Sequence, residues 1–168
     1  MRRLSPTGRL GPLALAVGTM AGCALADVPA GWRHWDLGAI RLQVPAVMQL
    51  KAGGTDSQAG ALTSDGLRIV YDFGLYSDPL ARRDDMLDYR SSDAAVDGRA
   101  ARMVQFRQGG AAAAPLQACS GVHVPAVRKS SMGALSLTVL ACAASADGLQ
   151  DVPAIFRSIR FQGAAARS

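Results

Sequence analysis

The chain has 168 residues, of which 18 are Lys or Arg and 13 are acidic, for a formal charge of +5. Arg2, Arg3 and Arg9 lie in the first 26 residues, which hold no acid, so the remainder carries 15 basic against 13 acidic residues. That near balance, with no basic run longer than Arg82-Arg83, removes the electrostatic footprint of a nucleic-acid binder. All the acids are Asp, which excludes the His-Glu-x-x-His pattern of zinc proteases.

The N-terminus combines a basic start at Met1-Arg2-Arg3, an apolar stretch from Leu10 to Met20 and small residues from Ala21 to Ala26. Residues 1–26 therefore form a secretory signal peptide, shorter than the roughly 20 apolar residues of a membrane span. Two processing routes fit. Cleavage after Ala24-Leu25-Ala26 releases a protein beginning at Asp27. Alternatively, Met20-Ala21-Gly22-Cys23 resembles a lipoprotein box, which makes a lipidated Cys23 the new N-terminus and the one route to a membrane. Residues 27–168 are expected to form a single exported domain, periplasmic or held at the envelope.

Trp32 and Trp35 follow directly, flanking Arg33 and His34. They either pack the first strand onto the core or offer a partner surface, to which Tyr76 also belongs. Ala39 to Val44 alternates as a strand ended by Pro45, and Ala52 to Gly60 reads as a loop or frayed edge. Leu67 to Tyr76 is the longest clean alternation, with Leu67, Ile69, Tyr71 and Phe73 on one face; it predicts a central strand. Asp78-Pro79 predicts a helix start, followed by Leu80, Arg83, Met86 and Tyr89 at near-helical spacing up to Ser91-Ser92. Asp97-Gly98 predicts a turn into a strand over Arg99 to Arg107, and Gly109 to Pro115 a low-complexity connection.

Cys119 and Cys142 stand equidistant from Ser130-Ser131. A hairpin over Leu116 to Val127 and Ala134 to Ala143 sets Cys119 opposite Cys142, Val122 opposite Val139, Val124 opposite Leu137 and Ala126 opposite Leu135. The last three pairs share an apolar face, and His123, facing Thr138, shares the other face with both cysteines. Facing positions meet disulfide geometry, and in an oxidising compartment the pair is expected to be joined. Pro125 is the weak point of this register, since it donates no ladder hydrogen bond. The chain closes with Asp151 as N-cap, a helix with Ile155, Phe156 and Ile159 on one stripe, and an extended Arg160-Phe161.

Three segments carry a family resemblance: the strand Tyr71-Asp72-Phe73-Gly74, the turn Asp97-Gly98-Arg99-Ala100-Ala101, and the ending Ile155-Phe156-Arg157-Ser158-Ile159-Arg160-Phe161. With the order of elements they resemble the PsbP-like family over roughly residues 31–161. The resemblance implies an α+β fold, an α/β/α sandwich in which an antiparallel sheet is flanked by helices and the C-terminal helix packs on the sheet. It also implies a binding or assembly role without catalysis, and brings no functional residue with it.

Nothing in the chain supplies a nucleophile elbow, a phosphate loop or a dinucleotide fingerprint. No catalytic, cofactor-binding or metal-binding residue is assigned. The expected function is a non-catalytic binding or assembly protein acting on a protein or envelope ligand. The alternatives are a small hydrolase using His123 with an Asp, or an inhibitor or immunity-type protein. A cleft bringing His123 to an Asp and a hydroxyl would favour the enzyme, and an exposed apolar patch around Trp32 or Tyr76 would favour binding.

Overall fold

The computed structural model describes residues 28–53, 58–109 and 117–163. Strands account for 62% of these residues. They are β1 (Trp32–Asp36), β2 (Ile40–Pro45), β3 (Gln49–Gly53), β4 (Gln58–Thr63), β5 (Leu67–Gly74), β6 (Met86–Val96), β7 (Arg99–Gln108), β8 (Gln117–Ser130), β9 (Gly133–Ala143) and β10 (Arg160–Phe161). Seven form one antiparallel sheet in the order β3-β4-β5-β9-β8-β7-β6, and three a smaller one in the order β1-β2-β10. A 3-10 turn at Ala146–Leu149 and the helix α1 (Val152–Ser158) complete the fold.

The inner face of the large sheet meets the small sheet and α1 across one apolar core. Ile40, Leu42 and Val44 of β2 contribute to it, as do Ile69 of β5, Val122 and Val124 of β8, Leu137 and Val139 of β9, and Ile155 and Phe156 of α1. The period of two in β5 and the 3–4 spacing in α1 are both read out as burial. Ser158 seats the helix: its hydroxyl donates to Ile155 O at 2.6 Å and accepts from the β2 amide of Gln43 at 2.8 Å. Ile159 is fully buried, and Phe161 and Arg160 then pair with Ile40 and Arg41. Asp151 precedes the helix but makes no side-chain cap. Instead its backbone carbonyl accepts from Ala154 and Ile155, each at 3.0 Å.

The architecture corrects the expected α+β sandwich: the described residues form a mostly β fold with one short C-terminal helix, not a sheet flanked by helices. Two local outcomes produce the difference. Ala52 to Gly60, expected as a loop or frayed edge, contributes to β3 and β4, with residues 54–57 outside the described set. The helix expected from Asp78 does not form. The Asp78 carboxylate does bond the backbone two residues on, donated by Leu80 N–H at 2.7 Å, as an N-cap would. Leu80 then adopts φ +53°, a left-handed conformation that no helix continues through, and the chain runs on to pair β6 with β7. Tertiary pairing overrides the local signal.

The hairpin register holds from Cys119 to Val124 and then slips. Between Val124 and Arg128 an irregularity moves Leu135 from its expected partner Ala126 to Arg128, and the tight turn to Ser131-Met132. Ala126 sits at φ +50° and is exposed, while Val127 takes the buried place. The break falls at Pro125, where the ladder lacks a donor. The signal peptide, Cys23 and most of the Gly109–Pro115 connection lie outside the described residues.

Candidate functional site

The outer face of the large sheet carries a row of polar side chains. Successive registers pair Asp72 with Thr138, Thr138 with His123, His123 with Arg102 and Arg102 with Asp93, so one line crosses β5, β9, β8, β7 and β6. Paired residues share a face, which puts the whole row opposite the main core. The segment 77–85 runs over this line as a strap. Thr138 Oγ1 donates to Asp78 O at 2.5 Å, Arg102 Nη2 donates to Pro79 O, and Tyr89 Oη donates to Leu80 O at 2.8 Å. Ser77 ties the near end: its hydroxyl lies 2.9 Å from Ser136 O and 3.0 Å from Asp72 O, with one proton to share between them, and accepts from Gly74 N–H.

An apolar plug holds the strap down. Leu80 is buried with Met86, Val104, Phe106 and Cys119 in a second, smaller cluster. Room for it comes from Gly121, where an added Cβ would stand 2.6 Å from Leu80 Cδ1. Cys119 and Cys142 face each other on the same surface, disulfide-bonded with Cα atoms 4.2 Å apart.

His123 is 9% exposed, with Nδ1 3.0 Å from Thr138 Oγ1. Because the Thr138 proton is directed at Asp78 O, the shared contact requires Nδ1 to carry the imidazole proton, which leaves Nε2 as an acceptor. Burial lowers the His123 pKa below its ordinary value, the nearby Arg102 cation lowers it further, and Asp78 opposes them. Beside the ring lies a groove of about 370 Å³ lined by Pro79, Ala100, Ala101, Arg102, His123 and Pro125. A wider depression of about 440 Å³ on β3-β4-β5 lies between Lys51 and Arg68 over Ala59 and Ala61, without a buried polar group converging on it.

Of the groups a hydrolase would use, His123 meets the Thr138 hydroxyl and, on Asp78, the backbone. Thr138 is 6% exposed beneath the strap, and its hydroxyl donates to a backbone carbonyl. The Asp78 carboxylate is taken by Leu80 N–H and by Arg83 Nη1 at 2.7 Å, so its contact with this row is through its backbone. Asp84 and Asp85, adjacent in sequence, are exposed on the strap, with Asp85 3.5 Å from Arg83 Nε. Among the described residues no group of three His, Cys, Asp or Glu could hold a metal ion.

Trp32 and Trp35 are half-buried against the main core, and the Arg33 guanidinium lies 4.5 Å from the Trp35 ring centroid. Tyr76, by contrast, is 94% exposed at the turn leaving β5, and Met132 is 80% exposed at the β8–β9 turn. The two turns share one end of the sheet, with Leu75 Cδ2 3.2 Å from where a Gly133 Cβ would lie.

Sequence reasoning found His123, its Thr138 partner and Gly121, but missed Arg102 and Leu80. The β7–β8 register that brings Arg102 to His123 follows from no local pattern, and Leu80 was assigned to a helix. No family model matches the chain, and no curated protein matches it. The PsbP-like resemblance is neither supported nor opposed by these comparisons. Two of its three motifs meet in space, since Asp97 Oδ2 accepts from the Phe161 amide at 2.9 Å.

Proposed function

We propose that the protein is an exported, non-catalytic binding or assembly protein of the periplasm or envelope, engaging a partner through the end of the large sheet that presents Tyr76 and Met132. The observation that carries this reading is the exposure of these two large side chains on adjacent turns. Single apolar side chains on a surface are ordinary, but an aromatic with a polar tip beside a flexible thioether is the composition of an interface anchor. A disulfide that persists only under oxidising conditions supports export, as does the N-terminal signal pattern. No helix among the described residues is long and apolar enough to cross a membrane; a lipidated Cys23 would supply attachment at the envelope.

A photocrosslinking amino acid placed at position 76 in the exporting cell should give a discrete adduct that is absent when the same group is placed at Gln105, an exposed residue of β7. Identical patterns from the two positions, or no adduct at all, would sink the proposal. Intact mass of the exported chain separates a start at Asp27 from an acylated Cys23.

A further inference from the structure

The geometry points to a second binding site, independent of the Tyr76 end: the groove beside His123, as a receptor for a carboxylate carried on a small aliphatic body. Its volume of about 370 Å³ is at the low end of the ligand-pocket range of about 300–1,000 Å³, which suits a short acid or the last residue of a peptide. Pro79, Ala100 and Pro125 make apolar walls, and two groups make it polar. One is the guanidinium of Arg102, which joins no ion pair among the described residues although Asp93 stands opposite it. Its Nη2 is used by Pro79 O, while its Nε is buried without a partner. The other is His123, nine-tenths buried, whose Nδ1 contacts Thr138 Oγ1 and whose ring also hydrogen-bonds the Asp78 backbone.

The charges around the ring decide the sign of the ligand. From β7 the ring faces Arg102; from the strap, Asp78, which pairs with Arg83 yet still favours the protonated ring; from β9, the uncharged Thr138, with Asp72, one of whose carboxylate oxygens is buried without a partner, one strand further along the row. The groove lining itself carries the Arg102 cation and no carboxylate, so an anion is favoured there. One cation with apolar walls suits a monoanionic carboxylate better than a phosphate, which needs more donors. An entering carboxylate accepts from Arg102 and also from His123, once a solvent proton adds to Nε2 while Nδ1 keeps its bond to Thr138. Binding then takes up a proton, and affinity rises as pH falls.

The test uses the mature disulfide-bonded protein labelled with ¹⁵N, titrated with sodium butyrate, with trialanine bearing a free C-terminus and with trialanine amide, while the side-chain resonances of His123 and Arg102 are followed. Saturable shifts at both residues are expected, with affinity gaining up to about tenfold from pH 7.5 to pH 6.5. The amide should leave both unmoved. Response to butyrate alone identifies a free small acid, response to the acid tripeptide alone a chain terminus, and either supports the site. R102Q should weaken binding more than tenfold, and H123N should abolish its pH dependence. No saturable shift with either acid, equal binding of the amide, or wild-type binding that does not tighten toward pH 6.5 would each overturn the inference, and these readings need no variant to fold.

Discussion

Leu80 and Gly121 should behave as one energetic unit. A methyl group placed on Gly121 would stand 2.6 Å from Leu80 Cδ1, 3.1 Å from Leu140 Cδ1 and 3.3 Å from Val104 Cγ2. All three contacts are side-chain ends that can shift, but they converge from the strap, β9 and β7 at once. Overpacking of this kind costs about 1–3 kcal/mol. The strand backbone recovers about 0.5–1 kcal/mol when Gly becomes Ala, so Gly121→Ala should destabilise by roughly 1–2 kcal/mol. Leu80, 1% exposed, should cost about 2–5 kcal/mol on truncation to Ala, through lost transfer energy and the cavity left behind. In the double variant the new methyl enters the space that Leu80 vacated. The two losses should therefore fall short of their sum by about 1 kcal/mol or more, against additivity within about 0.3–0.5 kcal/mol for independent sites. Urea unfolding of the four proteins with the disulfide intact measures the cycle. Additive losses, or a Gly121→Ala variant as stable as the parent, would mean that the strap is not held by this plug.

Three further outcomes follow from the same geometry. Replacing both Cys119 and Cys142 by Ala should cost about 3 kcal/mol by the loop-entropy argument for a sequence separation of 23 residues, read as a lower urea midpoint; an unchanged midpoint refutes it. Because the folded-state pKa of His123 is lowered from 6.5, the unfolded chain binds the proton more readily. Stability should then be full above pH 6.5 and fall as pH drops below it, by at most about 1.4 kcal/mol per pH unit until the folded-state pKa is passed. His123→Asn should flatten that limb in urea titrations across the range, and a slope unchanged in the variant assigns it elsewhere. Ala126, held at φ +50°, should tolerate Gly with a gain of up to about 1 kcal/mol in thermal unfolding, since relief of the left-handed conformation outweighs the added freedom of the unfolded chain; a clear loss contradicts the bulge geometry.

The parts of the fold legible in the sequence are those with short-range causes. β5 declares itself by alternation from Leu67 to Phe73, α1 by the spacing of Val152, Ile155 and Phe156, and the β6–β7 turn by Asp97-Gly98, both at positive φ. The hairpin register was legible as far as Val124 because two cysteines and two apolar pairs demand one alignment. The turn residues alone could not place the slip at Pro125. Ala59, Gly60 and Ala61, in β4, have too little hydrophobic contrast to announce a strand. Their side belongs to a sheet because Leu50 and Leu62 pair on one flank and Leu62 and Ile69 on the other. The Asp78-Pro79 signal was correct about its first hydrogen bond and wrong about what came after. What came after is decided at Gly121, some 40 residues along the chain, and by the pairing of β6 with β7.

The candidate site stays hidden for the same reason: it is assembled entirely by register. Asp72, Thr138, His123, Arg102 and Asp93 lie on five strands, and no two neighbours in the row are closer in sequence than Arg102 and Asp93. A polar row on a sheet face would ordinarily be solvated, and His123 would be a surface histidine of no consequence. The strap changes that. By plugging Leu80 over Gly121 it buries the ring, and by offering the carbonyls of Asp78 and Pro79 it occupies the Thr138 hydroxyl and one arm of Arg102. The covering that removes Thr138 as a nucleophile therefore also orients the imidazole, with Nδ1 protonated and Nε2 left as its acceptor. A site built this way is suited to recognising a group, because its one hydroxyl is spent on holding the histidine in place.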